Sequence, residues 1–451
     1  MSLTGQLGGS RGAGDKGLQR PLLETLRLAW ADEELRSRLT FILFVLAAYV
    51  VGVHVPVPVP GIDPAKLADI LEQNQFFSMM NALGGGAFKR VSIFALGLGP
   101  YIVASIILQV LTMGNPKWKE EMKEGGEYAR RQQNKRTRFL TLGLCLFQGF
   151  GLLQLLQQTG AVQLDMLAKS LIVFFWMCGS MILLWLGEQV SEKGIGNGVS
   201  ILIFAGIVIA LPALIENVGS QALNNNIAWW RVVLLAVLFF ATTWFIVLFT
   251  VAQRRIPVQH MRRNFGTKSL GGQVSYLPIA VAMAGVIPII FAITLIYLPS
   301  QFAAAFPAGS VPYNVLNEVQ RFTNPDFTTW RGLVGAALYT GMIFFFTYFW
   351  TALQYNVDDI ADHLKKGGSY IQGIRPGKQT RDFLNGVVSR VTFIGAVFLS
   401  LAALTQFVVP LVVPMPGLGL IAGTSLLIMV SVALETVRQV EANLITKQYE
   451  G

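Results

Sequence analysis

SIFALGLGPYI, from Ser92 to Ile102, is apolar enough to lie in a membrane, yet it carries Gly97, Gly99 and Pro100 inside what would otherwise be one helix. Proline removes a backbone donor and glycine weakens a helix interior, so the helix breaks here. In hydrocarbon a broken helix is tolerated only where its freed amides and carbonyls face protein or water. The stretch therefore points to a lined cavity. Pro288 in MAGVIPII repeats the device.

The surrounding chain fits that setting. Of its 451 residues 53% are hydrophobic and only 13% charged, and the mean hydropathy is +0.53, far more apolar than a soluble domain that must cover itself with polar surface. Crossing about 30 Å of hydrocarbon takes roughly 20 apolar residues. Windows approaching that length run from Leu39 to Val55, Ser92 to Met113, Phe139 to Gln157, Ser170 to Gly187, Asn197 to Ile215, Trp229 to Ala252, Tyr276 to Leu298, Gly332 to Leu353, Val391 to Val409 and Gly419 to Val437. The expectation is an all-α polytopic membrane protein with ten transmembrane helices.

Lysine and arginine set the orientation, because cytoplasmic loops carry the excess. Of the 35 such residues, 28 fall in the tail 1–38, Gly114 to Arg138, Glu188 to Gly196, Gln253 to Val274, Gln354 to Arg390 and the tail 438–451. All of these lie on one side of a ten-span chain, so both termini are expected in the cytoplasm. The net charge of +10 mostly reflects that bias; it also suits anionic lipid or an acidic partner such as ribosomal RNA. Met1 to Gly17 is glycine-rich and polar without the apolar core of a cleavable signal, so the first span should remain in the mature protein. Cys145 and Cys178 fall inside apolar spans with no CxxC pair and read as buried thiols.

Chemistry-bearing groups are scarce. The spans are nearly bare of ionisable residues, which disfavours a proton relay, and His54, His260 and His363 are widely separated with no HExxH, GxSxG or paired-aspartate motif. No catalytic residue, metal ligand or cofactor site is expected. Gly84 to Gly86 and Gly194 to Gly198 lack the lysine and hydroxyl residue of a phosphate loop. The polar interior groups are mainly Gln109, Gln148, Asn197 and Gln406. Phe76 to Arg90, FFSMMNALGGGAFKR, is too short to cross and reads as a re-entrant or interfacial segment. GIRPGKQT, from Gly373 to Thr380, is a stiff basic turn between apolar stretches; alone it reads either as a solvated loop or as a docking post presenting Arg375.

Seven motifs, in order, resemble the SecY family, the channel subunits of the Sec preprotein translocase, across essentially the whole chain. They are PVPGID (Pro58 to Asp63), SIFALGLGPYI, LWLGEQVSEKGIGNGVS (Leu184 to Ser200), RRIPVQ (Arg254 to Gln259), MAGVIP (Met283 to Pro288), GIRPGKQT and GTSLLI (Gly423 to Ile428). The resemblance implies two pseudo-symmetric five-helix halves, 39–215 and 216–437, around an hourglass pore. It places Leu98, Ile102, Ile195, Val199, Ile203, Ile290 and Ile428 in or near an aliphatic pore ring. Phe76, Phe77, Met79, Met80, Leu83 and Arg90 correspond to a plug, 76–90, that caps the ring. A lateral gate opens between helices 2 and 3 on one side and 7 and 8 on the other, with Gln109, Ala282 and Met283 beside it.

Many family members carry Asn where this chain has Ala282, so a polar latch is expected to be missing and apolar packing to hold the closed gate. EGGEYARR, Glu124 to Arg131, also departs from the commoner EGE-x-GRR. The loops 253–274 and 354–390 are implied to dock a SecA motor or the ribosome through Arg375, Arg254 and Arg255, supported by Lys365, Lys366, Lys378 and Arg381. Further implied partners are the SecE and SecG subunits, unfolded preprotein and its signal sequence. The expected location is a bacterial-type cell membrane. The competing expectation is a small-solute transporter, which shares ten spans and broken helices but needs specific polar contacts at mid-depth.

Overall fold

A computed structural model describes residues 22–58, 81, 84–158, 164–224, 228–260, 263–265, 268–270, 274–303, 305–307, 309–412 and 423–450. The protein is an all-α polytopic membrane fold with a small three-stranded sheet and a separate two-stranded hairpin. Its helices are α1 (Leu22–Ala31), α2 (Glu33–His54), α3 (Gly99–Gly114), α4 (Pro116–Glu124), α5 (Gly126–Gln158), α6 (Met166–Lys193), α7 (Gly198–Leu223), α8 (Trp229–Val251), α9 (Ile287–Ala303), α10 (Val311–Thr323), α11 (Trp330–Gln354), α12 (Val357–Lys366), α13 (Lys378–Val412) and α14 (Thr424–Glu450). Among the described residues α2, α6, α7, α8, α13 and the stretch Trp330–Lys366 are long and apolar enough to cross a membrane, and α3 and α9 are shorter apolar helices.

Each expected span carries a helix, with two differences. The span expected from Ser92 starts in turns, because Gly97 takes φ +57 and the helix begins only at Gly99–Pro100 with proline in its first turn. The span expected from Tyr276 starts in a strand, and its helix begins at Ile287. The apolar run YLPIA reads as membrane by composition, but its residues alternate between exposed Tyr276 and buried Ile279 and pair with a neighbouring strand instead.

That strand belongs to an antiparallel sheet on one face of the bundle. β1 (Gln253–His260) lies between β4 (Val274–Ala280) and β5 (Ser369–Ile371), while β2 (Arg263–Phe265) and β3 (Lys268–Leu270) form a separate hairpin. Val258 opposes Ile371, and Arg255 opposes Pro278. Alternate residues Ile256 and Val258 turn inward and join Ile279, Ile371, Val357, Leu384 and Val391 in a small core. The two basic loops are thereby one packed unit.

Helices α2, α3, α5, α6 and α7 pack among themselves, as do α8, α9, α11, α13 and α14. The two groups meet on one side where α7 touches α8 and α14, and on the other where α3 and α5 touch α9. Glycine sets the tightest approaches. A Cβ added to Gly179 of α6 would overlap the backbone carbonyl of Ile93, and one added to Gly198 would overlap that of Gly187. Backbone cannot step aside as a side chain does, so Gly179→Ala is expected to cost about 1–3 kcal/mol and to lower the unfolding midpoint in detergent. Gly143→Ala, where the new Cβ meets open space, should leave that midpoint unchanged or raise it.

Candidate functional site

Two cavities lie end to end between the helix groups. One has an empty volume of about 1750 Å³ and opens on the sheet face, where Ala280, Thr250 and Arg438 border it. The other, of about 940 Å³, lies toward the opposite face and is bordered by Gly84, Thr294 and Gln301. Ile102 of α3, Ile203 of α7 and Ile290 of α9 line both. Three aliphatic side chains from three helices therefore stand where the cavities meet.

The other residues expected near this ring distribute around it. Leu98 and Ile428 line only the cavity of the far face, and Val199 only that of the sheet face. Val199 and Ile203 are one turn apart on α7, so one helix face carries both. Ile195 lines neither cavity. It is buried in a cluster with Ile42, Val190 and Ile201, at the turn that leads into α7.

Local chemistry fixes each contributor. Asn197 caps α7, accepting from the amides of Val199 (3.1 Å) and Ser200 (3.3 Å). The turns before α3 are tied to the end of α2, with Val57 N donating to Val91 O (2.9 Å) and Ile93 N to Val55 O (3.1 Å). Val91 sits at φ +48, a strained conformation for a β-branched residue, and those ties together with its burial hold it there. At the start of α14, Thr424 Oγ1 donates to Gln406 Oε1 (2.8 Å), and Gln406 Nε2 donates to Tyr339 OH (3.4 Å). Gly423, at φ +64, lies against Gln406, where a Cβ would come within 2.7 Å of that side chain. This network links α11, α13 and α14 one turn from Ile428. Sequence reasoning noted Gln406 as a polar interior group but had no signal for its partners.

Of the expected plug residues, Phe76, Phe77, Met79, Met80 and Leu83 fall outside the described residues. Arg90 is exposed, and its Nη1 donates to Gly85 O (3.3 Å). The described part of the segment buries Ala87 and Phe88. Gly85, at φ +68, lies against α7, where a Cβ would stand 3.4 Å from Gly206 Cα.

The seam between α3, α5 and α9 holds polar groups as well as apolar ones. Gln148 Nε2 on α5 donates to Gln301 Oε1 on α9 at 2.8 Å. Beside this pair the rings of Phe147 and Phe302 meet with centroids 4.9 Å apart. Gln109 donates to Ser105 of its own helix (2.9 Å) and borders the sheet-face cavity, as do Ala282 and Met283 in the turns before α9. With its amide oriented to satisfy both neighbours, Gln354 donates to the Met283 carbonyl (3.2 Å) and accepts from Trp350 Nε1 (2.8 Å). Polar contacts thus stand beside the apolar packing of this seam.

The basic residues of the sheet face differ in freedom. Arg375 is exposed at the tip of the turn between β5 and α13, flanked by Gly373 (φ +80) and Gly377 (φ +106). Thr380 Oγ1 donates to the Arg375 carbonyl (2.9 Å), which fixes the backbone and leaves the guanidinium outside. Arg254, Lys365, Lys366 and Lys378 are exposed, and Arg255 is half-buried. Arg381 instead pairs with Asp358 across α13 and α12 (2.6 Å) and braces the turn.

A family model described as SecY matches residues 92–437. The protein translocase subunit SecY of Escherichia coli K12 is 39% identical over 425 residues, covering 93% of this chain and 94% of that one. Among solved structures, one described as a protein conducting channel superposes with a TM-score of 0.68 at 19% identity over 91% of this chain and 93% of its own. Sec61 in the canine ribosome-channel complex from the endoplasmic reticulum gives 0.64 at 18% identity with the same coverage.

Proposed function

Because this chain belongs to the SecY family, as the match over residues 92–437 and the 39% identical relative establish, we propose that unfolded polypeptide threads between its two cavities through Ile102, Ile203 and Ile290. The chain is the protein-conducting channel subunit of a translocase. The observation that carries the threading path is the sharing of those three aliphatic residues by both cavities. A short aliphatic collar excludes water from a closed constriction, has no charge to trap a passing segment, and yields by rotamer changes around it. A small-solute transporter would want fixed polar contacts at that depth, and the collar offers none.

The sheet face is read as cytoplasmic, which puts the basic loops 253–274 and 354–390 and both termini on the side rich in lysine and arginine. Polypeptide then enters the cavity bordered by Asn197, Ser200, Gln354 and Glu435, passes the collar, and leaves past the segment 76–90, which acts as a plug. Gly84 at the border of the outer cavity supports that assignment. Apolar segments and signal sequences leave sideways where α3 and α5 part from α9 and α11, the seam opposite the α7–α8 junction. Driving energy comes from partners: a SecA-type motor or an elongating ribosome docking on Arg375, Arg254 and Arg255. Small membrane subunits of the SecE and SecG kind complete the assembly in a bacterial-type cell membrane, where anionic lipid suits the basic face.

Photocrosslinking tests the path directly. With benzoylphenylalanine in place of Ile290 or Ile203, a polypeptide stalled in transit should crosslink, whereas the outward-facing positions Phe345 and Phe240, both exposed on the bundle surface, should give none. Equal labelling at all four positions would remove the threading path.

A further inference from the structure

The outer surface of α10 divides into three sectors. Tyr313, Leu316, Asn317 and Gln320 are half-buried against the bundle, and Asn314, Glu318 and Arg321 are exposed polar groups, with Arg321 paired to Glu318 at 2.6 Å. Between these sectors Val311, Val315, Val319 and Phe322 are all exposed, Val311 by 76%. At about 100° per residue this strip covers an arc of roughly 80°. Packed side, apolar strip and polar edge are the three environments of a helix lying at a water–hydrocarbon boundary.

A second observation says what covers the strip. The ring of Phe322 meets that of Trp330 edge-on, with centroids 6.1 Å apart. Trp330, 66% exposed, opens α11, and Leu333, Val334 and Leu338 continue the exposed apolar surface down that helix, which lies in a stretch long and apolar enough to span a membrane. The strip therefore runs without a break into a bilayer-facing surface. At the junction the Arg331 guanidinium stands over both rings, 5.1 Å from Phe322 and 5.7 Å from Trp330. Aromatic rings and an arginine whose charged head reaches toward water mark headgroup depth.

We propose that α10 is an interfacial helix, seated with Val311, Val315, Val319 and Phe322 in the acyl–headgroup boundary of the leaflet on the face away from the sheet. The seat is coupled to the bundle. Gln320 Oε1 accepts from Ser300 N (3.1 Å), and Thr323 Oγ1 donates to Ile296 O (3.5 Å), so the lipid contact holds the end of α9 that lies beside Gln301.

Depth-resolved quenching tests this in the full-length chain, with Cys145 and Cys178 replaced by alanine and the protein reconstituted in phosphatidylcholine–phosphatidylglycerol vesicles. Bimane on Val315→Cys or Val319→Cys should lose about half its emission to lipids brominated near the headgroup and less to deeply brominated ones, in keeping with a burial of about 5–10 Å. Bimane on Asn314→Cys should respond mainly to aqueous iodide. Quenching of the 315 and 319 labels by iodide alone would place the strip in water and overturn the proposal. Protection from both quenchers would put a protein partner there and would overturn it equally.

Discussion

Arg375→Glu is expected to insert and assemble normally while losing partner-driven translocation by tenfold or more. The turn that carries it is built without the guanidinium: Gly373 and Gly377 take left-handed backbone, Thr380 caps the Arg375 carbonyl, and Arg381 clamps α13 to Asp358. Removing the side chain therefore leaves the turn standing. What is lost is a planar fork of donors that meets a carboxylate or phosphate in a bidentate fashion, a geometry lysine does not supply. Leaving a docked charge without its partner costs about 2–5 kcal/mol, and placing a like charge against an acidic partner adds repulsion. Arg375→Lys should accordingly be intermediate. The readout is transport of a secretory substrate into inverted vesicles, with chain abundance and protease resistance as controls for folding. Normal transport by Arg375→Glu would remove Arg375 from the docking surface, and equal loss in Lys365→Glu would show that bulk charge, rather than the fork, is what the partner reads.

The helices were legible in the sequence because hydropathy sums over many residues and tolerates local ambiguity. The break at Gly97, Gly99 and Pro100 was legible for a related reason: each residue acts through its own backbone. Features that depend on distant pairing were not. YLPIA reads as membrane because nothing in its composition reveals that β1 will pair with it, and β5 joins the same sheet from the far side of four further helices. The collar is the harder case. Isoleucine is common throughout such spans, so Ile102, Ile203 and Ile290 came from resemblance rather than from the residues themselves, and only their shared position between two cavities distinguishes them from Ile195, which packs away from both.

Disrupting the Gln148–Gln301 pair is expected to lower the threshold for opening the seam. The two residues are 153 positions apart in sequence, and Gln301 carried no signal before the structure placed it. Ala282 suggests a seam without a polar latch at that position; a polar pair stands at the far end of α9, beside the Phe147–Phe302 contact. An interhelical hydrogen bond in a membrane is worth about 0.6 kcal/mol on average and at most about 1.7, and about 1.4 kcal/mol shifts an equilibrium tenfold. Gln148→Leu or Gln301→Leu should therefore raise export of a substrate with a weakened signal sequence by about threefold, and by at most about fifteenfold, while a strong signal gains little because it already opens the seam. The double variant should gain no more than either single one, since one bond can be lost only once. Ala282→Asn supplies a carboxamide at the sheet-face end of α9, remote from this pair, and should lower weak-signal export in both the parent and Gln301→Leu backgrounds by the same factor. Weak-signal export unchanged in both leucine variants, or doubled gains in the double variant, would mean that the pair does not hold the seam and that aromatic packing does.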